Sequence, residues 1–170
     1  MSADWTTPLM LRELARGPLR LRLEPDAAQR AKVAHDLGLE SLPSLNAELT
    51  VRPWLDGAAI EGRFEAVVEQ LCSVSLDPFE QPLEGGIEVR VVPRGSPNAP
   101  DEAAEYDPDD PDPPDLIETE AIDLAGYVVE HLSLAIDPFP RKPGAAFEYE
   151  PPAAEESPFA VLRKLKEDKD

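Results

Sequence analysis

The sequence predicts an α+β fold, a mainly antiparallel sheet of about four to six strands with one or two helices packed on one face. Three observations lead there. Four segments alternate apolar and polar side chains with period two. Two further segments carry helix-boundary signals. Glycine and proline pairs punctuate the runs between them.

In the first strand, Leu19, Leu21 and Leu23 alternate with Arg20 and Arg22. The first helix runs from about Asp26 to Leu37, with Gly38 placed to cap its end. In the second strand Leu45, Ala47, Leu49 and Val51 alternate with Asn46, Glu48, Thr50 and Arg52. Asp56-Gly57 supplies a turn into the third, where Ile60, Phe64, Ala66 and Val68 face away from Glu61, Arg63, Glu65 and Val67. Asp77-Pro78 ends that strand, and Gly85-Gly86 opens the fourth, Ile87, Val89 and Val91 against Glu88 and Arg90. Pro53 and Pro93 close strands where a ladder donor is no longer needed. Such alternation implies antiparallel pairing with one wet face. The second helix has Asp123 as its cap, Ile122 and Tyr127 at the staple positions, and Leu124, Val128, Leu132 and Ile136 as an apolar stripe. Asp137-Pro138 stops it. It is expected to cover the dry face of the sheet.

The domain reading follows. Residues 1–150 form one domain with a mobile acidic, proline-rich loop at 94–115, and residues 151–170 a C-terminal tail with a short amphipathic helix. Seven prolines lie from Pro93 to Pro114, and ten acidic and no basic side chains from Asp101 to Glu120. In the tail, Ser157 caps, Pro158 suits the first helical position, and Phe159, Leu162 and Leu165 follow three apart. Arg163, Lys164 and Lys166 sit toward the helix end, where cations meet the dipole favourably. Leu76-Asp77-Pro78-Phe79 is echoed by Ile136-Asp137-Pro138-Phe139, read as two element-ending turns, each anchored by its Phe.

The net charge is −19, from 35 acidic and 16 basic residues, so the field repels nucleic-acid phosphates and favours basic partners. The stretch from Arg12 to Lys32 runs against that trend. It holds six cations (Arg12, Arg16, Arg20, Arg22, Arg30, Lys32) and three anions, leaving limited RNA contact open. No apolar run approaches the roughly 20 residues that span a bilayer, and no signal peptide is evident, so a cytoplasmic location and no membrane association are expected.

The chemistry of an enzyme is not found. His35 and His131 lie on helices without a ligand-type partner at i+4. No nucleophile elbow, P-loop or dinucleotide fingerprint is present. Cys72, the single cysteine, has only Ser73 and Val74 beside it and reads as packing. Asp107, Asp109, Asp110 and Asp112 lack the glycine and closing Glu of a calcium loop and read as a solvated charge run. No catalytic residue, metal site or cofactor is expected.

Three stretches together resemble one family. They are Leu71-Cys72-Ser73-Val74-Ser75-Leu76-Asp77-Pro78-Phe79, then an acidic loop followed by Ile122-Asp123-Leu124 and an apolar helix, then Ser157-Pro158-Phe159-Ala160-Val161-Leu162-Arg163-Lys164-Leu165-Lys166. In order and spacing they resemble the YceD family, the large ribosomal RNA subunit accumulation proteins, from about Leu71 to Lys166. The family's second cysteine falls at Ser75 here, so a metal or redox role for a cysteine pair cannot apply to this chain. The resemblance implies a factor for large-subunit ribosomal RNA accumulation or ribosome assembly, with no catalytic residues carried over. The leading expectation is action through basic ribosomal or assembly-factor proteins, with Phe159, Leu162 and Leu165 as a docking face and Arg163 and Lys166 adding charge contacts. The competing reading of the tail is that it packs on its own domain. The alternative function is direct RNA binding through the Arg12 to Lys32 face.

Overall fold

The computed structural model describes residues 5–100 and 112–146. Its centre is a five-stranded sheet in the order β2-β3-β4-β5-β6. The strands are β2 (Leu19–Leu23), β3 (Ser41–Trp54), β4 (Gly57–Leu71), β5 (Pro78–Pro93) and β6 (Asp115–Ile117). The first four pair antiparallel, and β6 runs parallel to the end of β5, Val91 opposite Asp115. A two-stranded sheet joins β1 (Pro8–Met10) to β7 (Ala121–Asp123). The α+β class is as expected. The three short strands are not foreshadowed by the sequence pattern, and the parallel pair extends what alternation suggested.

Helix α1 (Ala27–Asp36) begins at a reciprocal cap: the Asp26 carboxylate accepts from the Gln29 N–H, and the Gln29 side chain accepts from the Asp26 N–H. It ends at Gly38, whose φ of 68° few L side chains adopt. Helix α2 (Leu124–Ala135) buries Leu124, Val128 and Leu132 completely, as the four-residue stripe requires. Its packing partners are β5, β4 and β1, which closes the dry face around Ile60, Phe64, Val91 and Ile122. A short 3-10 helix (Leu11–Arg16) follows β1 and buries Leu14.

Several boundaries move. The β3–β4 turn consists of Leu55 and Asp56, with Leu55 at φ 52°, while Gly57 is already paired with Trp54. Asp77-Pro78 opens β5 rather than ending β4, and Gly85-Gly86 lies inside β5 opposite Phe64 and Arg63. The reason is cross-strand packing. A Cβ on Gly85 would stand 2.5 Å from the buried Phe64 ring, so glycine there is the seat of an aromatic side chain and not a turn. At the proline-rich loop, residues 94–100 form hydrogen-bonded turns, Asn98 reaching the Asp56 carboxylate at 2.9 Å, and Asp115 belongs to β6. Residues 101–111 lie outside the described residues.

Candidate interaction surface

The face of the sheet opposite α2 is ruled by register. On β4 and β5 the side chains of that face stand in opposed rows: Glu61 with Glu88, Glu65 with Glu84, Glu69 with Glu80. Arg63 faces Gly86, Val67 faces Pro82, and Leu71 faces Pro78 in the rows between and beyond. Like charges directly opposite each other destabilise a ladder. At the first acidic row the repulsion is relieved, because Arg52 pairs with Glu61 and Arg90 with Glu88 at 3.7 Å. Arg90 also lies 5.6 Å over the Trp54 ring. The other two rows are not relieved. Among the described residues, no cation lies within 4.0 Å of Glu65, Glu69, Glu80 or Glu84. Glu69 accepts from the Ser41 hydroxyl at 2.6 Å.

Toward β2 the same face turns basic. Arg20 sits opposite Thr50 and Arg22 opposite Glu48, which pairs with Arg63 at 3.2 Å. The six cations of the Arg12 to Lys32 stretch divide over three elements: Arg12 and Arg16 on the 3-10 helix, Arg20 and Arg22 on β2, Arg30 and Lys32 on α1. Arg30 donates to the Pro25 carbonyl just before the helix and Lys32 meets Asp36 within it at 3.4 Å, so those two are partly engaged locally.

The β4–β5 corner holds the single thiol. Cys72 is fully buried. Its Sγ accepts three backbone N–H groups at 3.4 Å, from Val74, Ser75 and Lys142. Ser75, through its hydroxyl and then its N–H, and next the Lys142 N–H lower the thiol to about 6, and burial opposes them. Two of the three N–H groups come from near neighbours, and the third, on Lys142, arrives from 70 residues away. The Ser73 N–H donates to the Pro140 carbonyl at 2.8 Å, so the segments flanking the two halves of the sequence echo meet here. Phe139 is no anchor: it is 72% exposed, as is Leu76 at 73% with φ 60°. The histidines stay structural in placement, His35 exposed and His131 with Nδ1 2.9 Å from the Tyr127 carbonyl oxygen.

The tail residues singled out from sequence (Phe159, Leu162, Arg163, Leu165, Lys166) lie outside the described residues. The acidic rows, not expected from sequence, are the feature that it could have hinted at: Glu61, Glu65 and Glu69, and Glu80, Glu84 and Glu88, each recur every four residues.

The family model for large ribosomal RNA subunit accumulation protein YceD matches residues 60–166. The chain belongs to the YceD family. No curated protein and no solved structure matches it. The matched stretch takes in β4 from residue 60 onward, β5, the Cys72 corner and α2, so the acidic rows lie on the family's portion of the chain. Ser75 is here a hydrogen-bond donor to Cys72.

Proposed function

We propose that this YceD-family protein is a non-enzymatic, cytoplasmic factor supporting large-subunit ribosomal RNA accumulation, and that it acts by binding basic ribosomal or assembly-factor proteins. The family match over residues 60–166 carries the first half of the reading. The unrelieved carboxylates of β4 and β5 support the second, because they repel phosphates and attract cationic side chains. The tail contributes a second contact in this reading, with Phe159, Leu162 and Leu165 as the apolar face and Arg163 and Lys166 at its rim. No helix of the described residues is long and apolar enough to cross a membrane.

Affinity purification of the tagged chain from cells, with and without RNase, tests it. Basic large-subunit proteins should be retained after RNase. If every partner is lost with the RNA, the protein reading fails and direct RNA binding takes its place. That second reading has one observation in its favour: Arg20, Arg22 and Arg63 share one sheet face, and Arg20 has no carboxylate within 4.0 Å among the described residues.

A further inference from the structure

Between strands β3, β4 and β5 the wet face is indented by an open hollow of about 490 Å³. Glu65 and Glu84 line it with Val67 and Pro82, and Ser44 and Asn46 line it from β3. Three acceptors there lack what they need. Glu65 and Glu84 are register partners with no cation within 4.0 Å of either among the described residues. The Oδ1 of Asn46 is buried and has no hydrogen-bond partner among the described residues. A buried acceptor without a donor and an opposed carboxylate pair both oppose folding, so this arrangement is not explained by the stability of the sheet.

The missing group can be specified. It must donate hydrogen bonds, carry positive charge and present an aliphatic stem to Val67 and Pro82. Lysine and arginine do all three. A metal ion does not suit the place, since no three carboxylate, histidine or cysteine groups converge among the described residues. A phosphate backbone would meet the carboxylates and be repelled. A second copy docked hollow to hollow would set the same glutamates against each other.

Resting on the reading that the protein works through basic protein partners, we propose that this hollow receives a lysine or arginine side chain from an extended segment of such a partner. The next acidic row on the same face, Glu69 opposite Glu80, takes a second cation of that segment. The two rows are four residues apart on β4, about 13 Å at strand rise. In an extended partner the cations therefore stand four residues apart, with an apolar residue midway over the Val67–Pro82 row.

The probe is a fluorescein-labelled peptide of repeating Lys-Thr-Val-Thr units, titrated by anisotropy against the full chain. Its comparison is a peptide of equal composition with the lysines adjacent. Glu65→Gln with Glu84→Gln should weaken the first peptide about tenfold. Glu120→Gln with Glu130→Gln, the same charge change at exposed helix and turn positions, should weaken it less than about twofold. Peptide binding should also shift the Asn46 side-chain amide in an NMR spectrum. Equal losses from the two double variants, or no preference between the peptides, would mean that only the long-range field is at work and would overturn the site. Tightening by about tenfold on neutralising Arg163, Lys164 and Lys166 would make the chain's own tail the occupant, and overturn it too. Thermal denaturation confirms that each variant is folded. The outcome separates from the functional reading: site-specific peptide binding with no RNase-resistant partner in cells sinks the function alone, and resistant partners with non-specific peptide binding sink the hollow alone.

Discussion

Asp123 sits at the N-cap of α2, yet its side chain makes no bond to the first turn of that helix. Its Oδ1 instead accepts from the Thr7 N–H at 2.8 Å, and the Leu124 N–H donates to the Thr7 carbonyl. The carboxylate thus clamps the segment entering β1, 116 residues away, onto the start of the helix. Asp123→Ala should cost about 1 kcal/mol in chemical denaturation, and Asp123→Asn, which keeps an acceptor, should recover most of it. Amide exchange at Thr7 and Leu9 should speed up in the alanine variant, whereas loss of an ordinary cap would fray α2 first. Cys72 offers a second test at this scale. Its thiol is lowered from 9.0 to about 6 by donors that favour the thiolate. A group depressed in the fold binds fewer protons there than in the unfolded chain, so the stability it contributes is full above the unfolded value and disappears as pH falls toward about 6. Thiolate absorbance should titrate with a midpoint near 6 in the folded protein, and upward of that in Ser75→Ala. The stability gap between wild type and Cys72→Ala should widen from pH 6 to 9. A midpoint near the ordinary thiol value would show that the three N–H groups do not bind the charge.

Strand β5 shows how far local pattern reaches. Its second half was legible, because Ile87, Val89 and Val91 alternate cleanly and end at Pro93. Its first half was hidden by Pro82 and by Gly85-Gly86, which read locally as a break and are in fact fitted to the neighbouring strand. Gly85 leaves room for a ring that is only 1% exposed, so Gly85→Ala should destabilise by about 1–3 kcal/mol through overpacking, with little effect at neighbouring Gly86, where a Cβ meets nothing. Urea denaturation of the two alanine variants compares them directly. The strands β1, β6 and β7 were illegible for a different reason: three residues cannot display a period of two, and their partners are distant in the chain, Pro8–Met10 with Ala121–Asp123 and Asp115–Ile117 with Val91–Pro93. The candidate surface was half legible. The four-residue recurrence of glutamates is in the sequence, but that Glu65 meets Glu84 and Glu69 meets Glu80 is a fact of register, which a single strand does not encode. At the Cys72 corner the main donor, Ser75, lies three residues away, but the turn that aims it and the N–H from Lys142 are facts of the fold.

Across the whole molecule the charge is sorted rather than spread. The sheet face runs from Arg20 and Arg22 on β2 and Arg63 on β4 to unrelieved glutamates farther along β4 and β5, within a chain of net charge −19. Self-repulsion on that scale lowers the stability of the compact state, and it is screened by salt. Two contributions can be separated. The diffuse part should appear as a rise in Tm of the wild-type chain with sodium chloride, levelling once the Debye length falls below the spacing of surface charges. The local part belongs to the opposed rows. Glu65→Gln with Glu84→Gln should raise stability by roughly 0.5–1 kcal/mol at low salt, because one like-charged pair is removed from direct opposition. Its advantage should shrink as salt increases, whereas an advantage from better packing would not. Glu61→Gln should do the reverse and destabilise slightly, since Glu61 is already paired with Arg52 and its removal leaves that arginine beside Arg90 without a counter-charge. Thermal melts of the three proteins over a salt series decide the matter. If Glu65→Gln with Glu84→Gln gains nothing at low salt, the two carboxylates are already compensated in solution, and the hollow between them has no unmet charge to offer a partner.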